Sequence, residues 1–172
     1  AAAGVNLVRT YGVVWDEAVL DTLWYDHGIG VAMTVYYDAV GGDTERAAVN
    51  AVCALKHHPA VVLWLIGNEP NYEAAGTPTA QALEELAPVV AAVRAADASR
   101  PCAVVWGEVP TADVLAALPE ANVWGLNVYR GTSFDSLFST WAALSPLPLL
   151  VAEYGAAPAV LPTRAWATAR AQ

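Results

Sequence analysis

Two glutamates lie at the ends of strongly apolar segments of this sequence. Glu69 follows the hydrophobic stretch in "WLIGNEPNY", and Glu153 stands inside the apolar run "PLLVAEYGA". A carboxylate beside so much apolar surface is costly unless it has a partner, so these positions favour a functional role. Two carboxylates about 5 Å apart can hydrolyse a glycoside with retention, one as a protonated acid and the other as an ionised nucleophile. The pair therefore predicts acid–base and nucleophilic chemistry on a glycosidic bond.

The elements that must position this pair are strands that alternate with helices. Six short apolar segments rich in β-branched residues predict strands buried on both faces; they read GVNLVRTY, GIGVAMTVYY, AVVLWLIG, CAVVWG, NVWGLNVY and PLLVAEYG. Segments with helical spacing lie between them, at 16–28, 44–59, 79–97, 111–118 and 133–144. Thr or Ser is expected to cap the last two, and Pro88 to kink the longest. This alternation predicts βαβ units and a parallel sheet.

Two α/β architectures fit this pattern, an open doubly wound sheet and part of an eight-stranded barrel. The sequence contains neither GxGxxG nor GxxxxGK[ST], which weighs against nucleotide binding. It also lacks the GxSxG nucleophile elbow, which weighs against an α/β hydrolase with an open sheet. In both architectures the functional side chains lie at the C-terminal ends of the strands.

The composition narrows the class of protein. With 172 residues and 56% hydrophobic content, the chain is long and apolar enough for one folded domain. Its formal charge of −9 repels phosphate backbones, which argues against a nucleic acid partner. It has no run of about 18 uncharged apolar residues, so we expect no membrane-spanning helix. Cys53 and Cys102 are too few for a disulfide framework, and no ligand spacing around His57 and His58 predicts a metal site.

Polar side chains gather at the predicted strand ends. Arg9 is suited to keep a carboxylate ionised, and the Tyr129 hydroxyl is suited to orient it. Asn68, next to the first glutamate, is placed to hydrogen-bond a sugar 2-hydroxyl. Tyr11 and Asn127 lie at the same ends. The strand ends therefore predict a saccharide site with Asn127 among its contacts.

Aromatic side chains at these ends offer surfaces for a sugar ring. Trp106, near the end of CAVVWG, is expected to stack on a sugar. One of Tyr36 and Tyr37 should point into the site, and the strand register that decides between them is open. Asp38 and Glu108 also lie at strand ends, where contact with solvent explains a carboxylate as well as a functional role does.

The motifs around the two glutamates resemble those of a known superfamily. "HPAVVLWLIGNEPN" followed much later by "LLVAEYGA" looks like the clan A glycoside hydrolases, the barrel superfamily of retaining β-glycosidases. The segment "HPAVVLWLIGNEP" is most similar to the corresponding motif of family 2, which includes β-galactosidases, β-glucuronidases and β-mannosidases. "GVNLVRTYG" and "GLNVYRGTSF…PLLVAEYG" also resemble family 72, the β-1,3-glucanosyltransferases, and more loosely family 5.

The resemblance implies a (β/α)8 barrel whose acid/base ends the fourth strand and whose nucleophile ends the seventh. Matched by motif, Glu69 is the acid/base, Glu153 the nucleophile and Asn68 the sugar-binding amide. Arg9 matches the second-strand arginine, and Tyr129 matches the sixth-strand tyrosine. The resemblance implies no cofactor and no metal, and a β-linked oligo- or polysaccharide as the substrate.

With Glu69 at the end of the fourth strand and Glu153 at the end of the seventh, the six segments are the second to seventh strands of the barrel. The first and eighth strands are not recognised in this sequence. We therefore expect residues 1–172 to form one incomplete TIM barrel domain, which missing flanking segments would complete. The expected activity is retaining hydrolysis of β-O-glycosidic bonds, or transglycosylation. The alternative is a catalytically silent carbohydrate-binding or scaffolding barrel. The compartment stays open, although relatives that act on polysaccharides are often secreted.

Overall fold

Six parallel strands form a single sheet in chain order. The computed structural model of the protein describes residues 3–37, 42–72 and 79–156. The strands are β1 (Leu7–Arg9), β2 (Gly30–Tyr36), β3 (Val61–Ile66), β4 (Cys102–Gly107), β5 (Val123–Val128) and β6 (Leu149–Tyr154). Each strand pairs in parallel with the next one along the chain. An open doubly wound sheet reverses its strand order at a switch point, so the sequential order identifies an incomplete barrel and confirms that prediction.

Helices follow the strands at all the predicted places. They are α1 (Glu17–Asp21), which continues as a π-helical turn (Thr22–Asp26), α2 (Glu45–Leu55), α3 (Thr79–Ala96), α4 (Ala112–Ala117) and α5 (Leu137–Leu144). Thr111 caps α4 as expected by accepting a hydrogen bond from the Val114 amide. Ser136 precedes α5 without a side-chain capping bond, and α3 runs as one helix through Pro88.

The core has two layers because successive strand residues point to opposite faces of the sheet. The outer layer packs large side chains such as Trp64, Trp124 and Leu126 against the helices. The inner layer, enclosed by the sheet, is built from aliphatic side chains, namely Ala32, Leu63, Leu65, Ala103 and Val105. Ala32 and Ala103 suit the inner layer because the interior of a small barrel has little room for side chains.

The first and last strands are the least buried. Every residue of β2 and β4 is buried, whereas β1 and β6 are half-buried or exposed along their whole length. Among the described residues, no strand pairs with the outer edge of β1 or of β6. The sheet is nearly closed all the same, since the Arg9 side chain on β1 reaches Glu153 on β6.

Two further expectations concern the cysteines and the membrane. Cys53 is exposed, Cys102 is buried, and both are free thiols. Burial raises the pKa of Cys102 to about 12, which leaves its thiol unreactive at neutral pH. Within residues 3–37, 42–72 and 79–156, no helix has the length and hydropathy that a membrane span requires.

Asp97 holds the N-terminal end of the barrel together. This buried carboxylate accepts hydrogen bonds from Trp64 Nε1 and from Arg100 Nη1, both at 3.0 Å. Arg100 also donates to the carbonyl oxygens of Val61 and His58, at the start of β3. Burial alone would raise the pKa of Asp97, but the hydrogen bonds from Ser99, Trp64 and Arg100 outweigh it and hold the pKa well below its usual range.

Replacing Asp97 with alanine should lower the free energy of unfolding by about 3 kcal/mol, because Trp64 and Arg100 would lose their partner. The pKa of Asp97 is lower in the folded chain than the value of about 3.9 in an unfolded one. This contribution should therefore be complete at neutral pH and decline as the pH falls below about 4.

Urea unfolding of the wild type and of Asp97→Ala, at about pH 7 and about pH 3, measures both effects. Glu120→Ala is the control, because Glu120 is exposed, and it should change the free energy of unfolding by less than about 0.5 kcal/mol. Equal losses in the two variants would contradict the role of Asp97.

Candidate active site

The side chains of interest converge because the parallel strands all end at the same rim of the barrel. Arg9 is the last residue of β1, and its guanidinium crosses the mouth. Nη1 donates to Glu153 Oε1 at 2.7 Å, and Nη2 donates to Asn68 Oδ1 at 2.7 Å. Nη1 also lies 3.4 Å from Asn127 Oδ1. One arginine therefore contacts side chains from the ends of three other strands.

A register shift turns Glu153 towards the interior. In the pairing of β5 with β6, Leu126 faces Val151, but the next residue, Asn127, faces Glu153. The side chain of Ala152 packs against the inner layer, so regular alternation would send Glu153 to the outer face. The extra residue in β6 returns the Glu153 side chain to the mouth, as bulges near active sites commonly do.

Both carboxylate oxygens of Glu153 are hydrogen-bonded. Oε1 accepts from Arg9 and, at 3.0 Å, from the Tyr11 hydroxyl, while Oε2 accepts from the Tyr129 hydroxyl at 2.5 Å. Burial alone would raise the pKa of Glu153, but the bonds from Tyr129 and Tyr11 and the Arg9 charge outweigh it and lower the pKa. The carboxylate is therefore oriented by three donors and ionised at neutral pH.

Tyr129 and Tyr11 stay protonated in this arrangement. The hydrogen bond to Glu153 is the main cause that raises the pKa of Tyr129 to about 12; burial and the charges of Glu153 and Glu69 add to it. Burial and the bond to Glu153 likewise raise the pKa of Tyr11. The Arg9 guanidinium also lies over the Tyr11 ring, 4.5 Å from its centroid. Sequence reasoning gave Tyr11 no role, since its position past a strand end did not show that it faces Glu153.

Asn68 is held on both sides of its amide. Its Oδ1 accepts from Arg9 and from Asn127 Nδ2, the latter at 3.2 Å, and its Nδ2 donates to the Tyr37 hydroxyl at 3.0 Å. Tyr37 is therefore the tyrosine that points into the site, and Tyr36 is buried in the outer layer. These bonds fix which way the Asn68 amide faces, and they leave one Nδ2 proton for another acceptor.

Glu69 is carried on a tight turn after β3. Gly67 and Glu69 both have left-handed backbones, with φ values of 74° and 53°. This conformation is uncommon for a residue other than glycine and persists where the surroundings hold it. Two backbone hydrogen bonds hold the turn in this conformation, from Gly67 N to Tyr36 O and from Glu69 N to Val105 O. Within the described part of the chain, the half-buried Glu69 carboxylate has no hydrogen bond or ion pair, so it is available to a substrate.

The structure corrects the expectation for Trp106. This residue is 3% exposed and packs in the outer layer, with its ring edge-on to Trp124 at 6.2 Å. Its neighbours in β4, Val105 and Gly107, occupy the alternate face, and the period-2 pattern therefore directs Trp106 towards the helices. A ring with so little free surface has no face on which a sugar could stack.

Of the two remaining strand-end acids, Glu108 forms an ion pair with Arg130 at the β4–β5 rim. Asp38 lies outside the described residues.

A pocket of about 470 Å³ opens beside Glu108, and its lining also includes Tyr72, Trp106 and Gly107. Tyr72 is 60% exposed there.

In the ranges that the structure describes, no group of three or more His, Cys, Asp or Glu side chains is placed to hold a metal ion. His58 is buried and has structural contacts instead. Its Nδ1 accepts from the Ala60 amide, and its Nε2 lies 3.1 Å from Asp21 Oδ1. A neutral His58 therefore carries its proton on Nε2.

Comparison with known proteins gives a consistent family. The family model described as "Glycosyl hydrolases family 2, TIM barrel domain" matches residues 3–162. The Beta-glucuronidase of Pongo abelii is 30% identical over an alignment 177 positions long, which covers 89% of this chain and 26% of that protein.

Two solved structures share the fold. The beta-D-glucuronidase of Dictyoglomus thermophilum superposes with a TM-score of 0.62 at 22% identity, and the match covers 88% of this chain and 30% of that one. A Bifidobacterium dentium beta-glucuronidase complexed with coumarin-3-O-glucuronide superposes with a TM-score of 0.64 at 22% identity. The match covers 87% of this chain and 27% of that one. The chain thus spans between a quarter and a third of the length of these three relatives.

Replacing Tyr129 with phenylalanine should raise the pKa of Glu153, because the variant loses a donor that stabilises the ionised carboxylate. An NMR titration that follows the side-chain carboxyl carbon of Glu153 measures this change. Tyr25→Phe is the matched control, since Tyr25 is 69% exposed on the π-helical turn. An unchanged or lowered pKa of Glu153 in Tyr129→Phe would show that the hydroxyl does not bind the carboxylate in solution.

Proposed function

Since this chain belongs to glycosyl hydrolases family 2, with residues 3–162 matching the TIM barrel domain, we propose that it carries a site for retaining hydrolysis of β-O-glycosidic bonds. The observation that supports this most directly is the environment of Glu153. A carboxylate that is kept ionised by an arginine and two tyrosines, at the mouth of a barrel, is suited to attack an electrophilic carbon. We propose that the whole chain is one catalytic domain.

Glu153 is the proposed nucleophile. A general base works best with a pKa near the working pH, whereas a nucleophilic carboxylate must stay ionised. The lowered pKa of Glu153 therefore suits direct attack on the anomeric carbon more than activation of water. This attack forms a covalent glycosyl-enzyme ester as the bond to the leaving oxygen breaks.

Glu69 is the proposed acid/base. It gives its proton to the leaving oxygen in the first step, and in the second it takes a proton from the water, or acceptor sugar, that attacks the ester. Its carboxylate is not engaged by other described side chains, and its charge acts on the same Tyr129 hydroxyl as that of Glu153. The remaining Nδ2 proton of Asn68 is the proposed donor to the sugar 2-hydroxyl.

The substrate is proposed to be a β-linked saccharide or aryl β-glycoside, and no metal or cofactor takes part in the proposed steps. The three relatives named above are called beta-glucuronidases, which makes a β-glucuronide the first substrate to test. The pocket beside Tyr72 lies on the side of the Glu69 turn that faces the end of β4 and the start of α4. We assign the leaving group to that side.

Glu153→Gln should lower kcat/KM on 4-nitrophenyl β-glycosides by about 10⁴-fold or more, because the nucleophile is lost. Glu69→Gln should lower kcat/KM by about 10² to 10⁴-fold on the corresponding phenyl β-glycosides, because phenolate leaves poorly without the proton of a general acid. Assays should cover the β-glucuronide, β-galactoside and β-mannoside. Glu120→Gln changes an exposed carboxylate and should leave kcat/KM unaltered. Full activity in Glu153→Gln would refute the proposed nucleophile.

A 2-deoxy-2-fluoro β-glycoside with a good leaving group should label Glu153, because the fluorine slows breakdown of the ester. Mass spectrometry of the digested chain locates the label, and NMR of a normal substrate should show the β anomer of the product first. Inversion would assign Glu153 to water activation instead. Saccharide binding without turnover or labelling would favour a carbohydrate-binding barrel.

A further inference from the structure

Asn71 attaches the turn that carries Glu69 to the end of β4. Asn71 Nδ2 donates to the Gly107 carbonyl oxygen at 2.9 Å, and the Gly107 amide donates to Asn71 Oδ1 at 2.9 Å. A side-chain amide that both donates to and accepts from one residue's backbone takes the place of a neighbouring strand. We call these two bonds the Asn71–Gly107 pair.

The pair extends the β3–β4 ladder beyond the end of β3. Regular pairing of the two strands covers Trp64 to Ile66. After that, Glu69 N donates to Val105 O, and the Asn71 side chain bonds to Gly107, two residues farther along β4. The turn is therefore attached to β4 at two points, through the Glu69 amide and through the Asn71 side chain.

Glu69 depends on these attachments more than Glu153 does. Three side-chain donors hold the carboxylate of Glu153, whereas no described side chain holds that of Glu69. The position of Glu69 is set by its backbone, which has the left-handed φ of 53°. A strained conformation of this kind relaxes when the structure around it loosens.

Gly107 is shaped for this contact. The ring of Tyr72 lies so close to Gly107 that a Cβ there would come within 2.3 Å of a ring carbon. The Tyr72 amide in turn donates to Glu69 O at 2.8 Å, which closes the turn. A glycine at the end of β4 thus lets the residues after Glu69 pack directly on the strand backbone.

We propose that Asn71 is a positioning residue, which holds the Glu69 carboxylate where it can protonate the leaving oxygen. This inference rests on the acid/base role proposed above for Glu69. Without the Asn71–Gly107 pair the turn can relax, and a displacement of about 1 Å in a catalytic group costs about 10²-fold in rate. The network around Glu153 uses β1, β5 and β6 and is left intact.

Three variants separate this role from a general loss of stability. Asn71→Ala removes both bonds, while Asn71→Asp keeps an acceptor for the Gly107 amide and loses the donor to the Gly107 carbonyl. Asn122→Ala is the matched control. Asn122 Oδ1 accepts from the Cys102 amide at 2.7 Å, so it makes a bond of the same kind at the opposite end of β4.

The kinetic test compares two substrates with the same β-linked sugar. A phenolate leaves poorly and needs the acid, whereas a 2,4-dinitrophenolate leaves without protonation. Asn71→Ala should lower kcat/KM by about 10²-fold for the phenyl glycoside and by less than about threefold for the dinitrophenyl glycoside. Asn71→Asp should lie between the wild type and Asn71→Ala. Asn122→Ala should affect both substrates equally, and equal losses on both in Asn71→Ala would overturn the proposal.

Amide hydrogen exchange tests the attachment without any turnover. The Gly107 and Glu69 amides should exchange faster in Asn71→Ala than in the wild type, and their rates should be unchanged in Asn122→Ala. Unchanged exchange at Gly107 in Asn71→Ala would overturn the proposal whatever the kinetics show. If the wild-type chain hydrolyses no glycoside, the proposed function fails for this chain. The exchange rates then decide by themselves whether Asn71 holds the turn.

Discussion

The guanidinium of Arg9 lies across the mouth of the barrel and joins the two strands whose outer edges are unpaired among the described residues. Its side chain is 11% exposed, and a charge in such a place requires partners. It finds Glu153 on β6, Asn68 after β3 and the ring of Tyr11. Together with Tyr129 and Tyr11 this group keeps Glu153 ionised, and together with Asn127 and Tyr37 it orients Asn68; it also joins β1 to β6.

The two glutamates differ in how they are held, and this difference matches the two roles proposed for them. Glu153 is fixed through its side chain by donors that favour the charged form. The turn that carries Glu69 is fixed through its backbone by bonds to β2 and β4, and no described side chain bonds to the Glu69 carboxylate. A nucleophile benefits from the first arrangement, and an acid that must also act as a base benefits from the second.

The Asp97 network and the candidate active site lie at opposite ends of the strands. The Asp97 network ties α3 to the start of β3, on the side of the barrel away from the glutamates. The strained backbone of Glu69 and the half-exposed tyrosines lie at the other end, where the loops follow the strands. This division is general in β/α barrels, because the C-terminal ends present side chains from many strands to one space.

The sequence alone determined the alternation of six strands with helices, and it placed Arg9, Asn68, Glu69, Tyr129 and Glu153 at one rim, because apolar periodicity marks where strands end. Only the tertiary structure decided which side chains enter the mouth. The register shift in β6 turns Glu153 inward, while the unbroken alternation of β4 buries Trp106. Tyr11 and Asn71 gained their partners in the same way, from residues 142 and 36 positions away. A one-residue change of register reverses the face of every later side chain, and contacts between distant strands leave no local signal in the sequence.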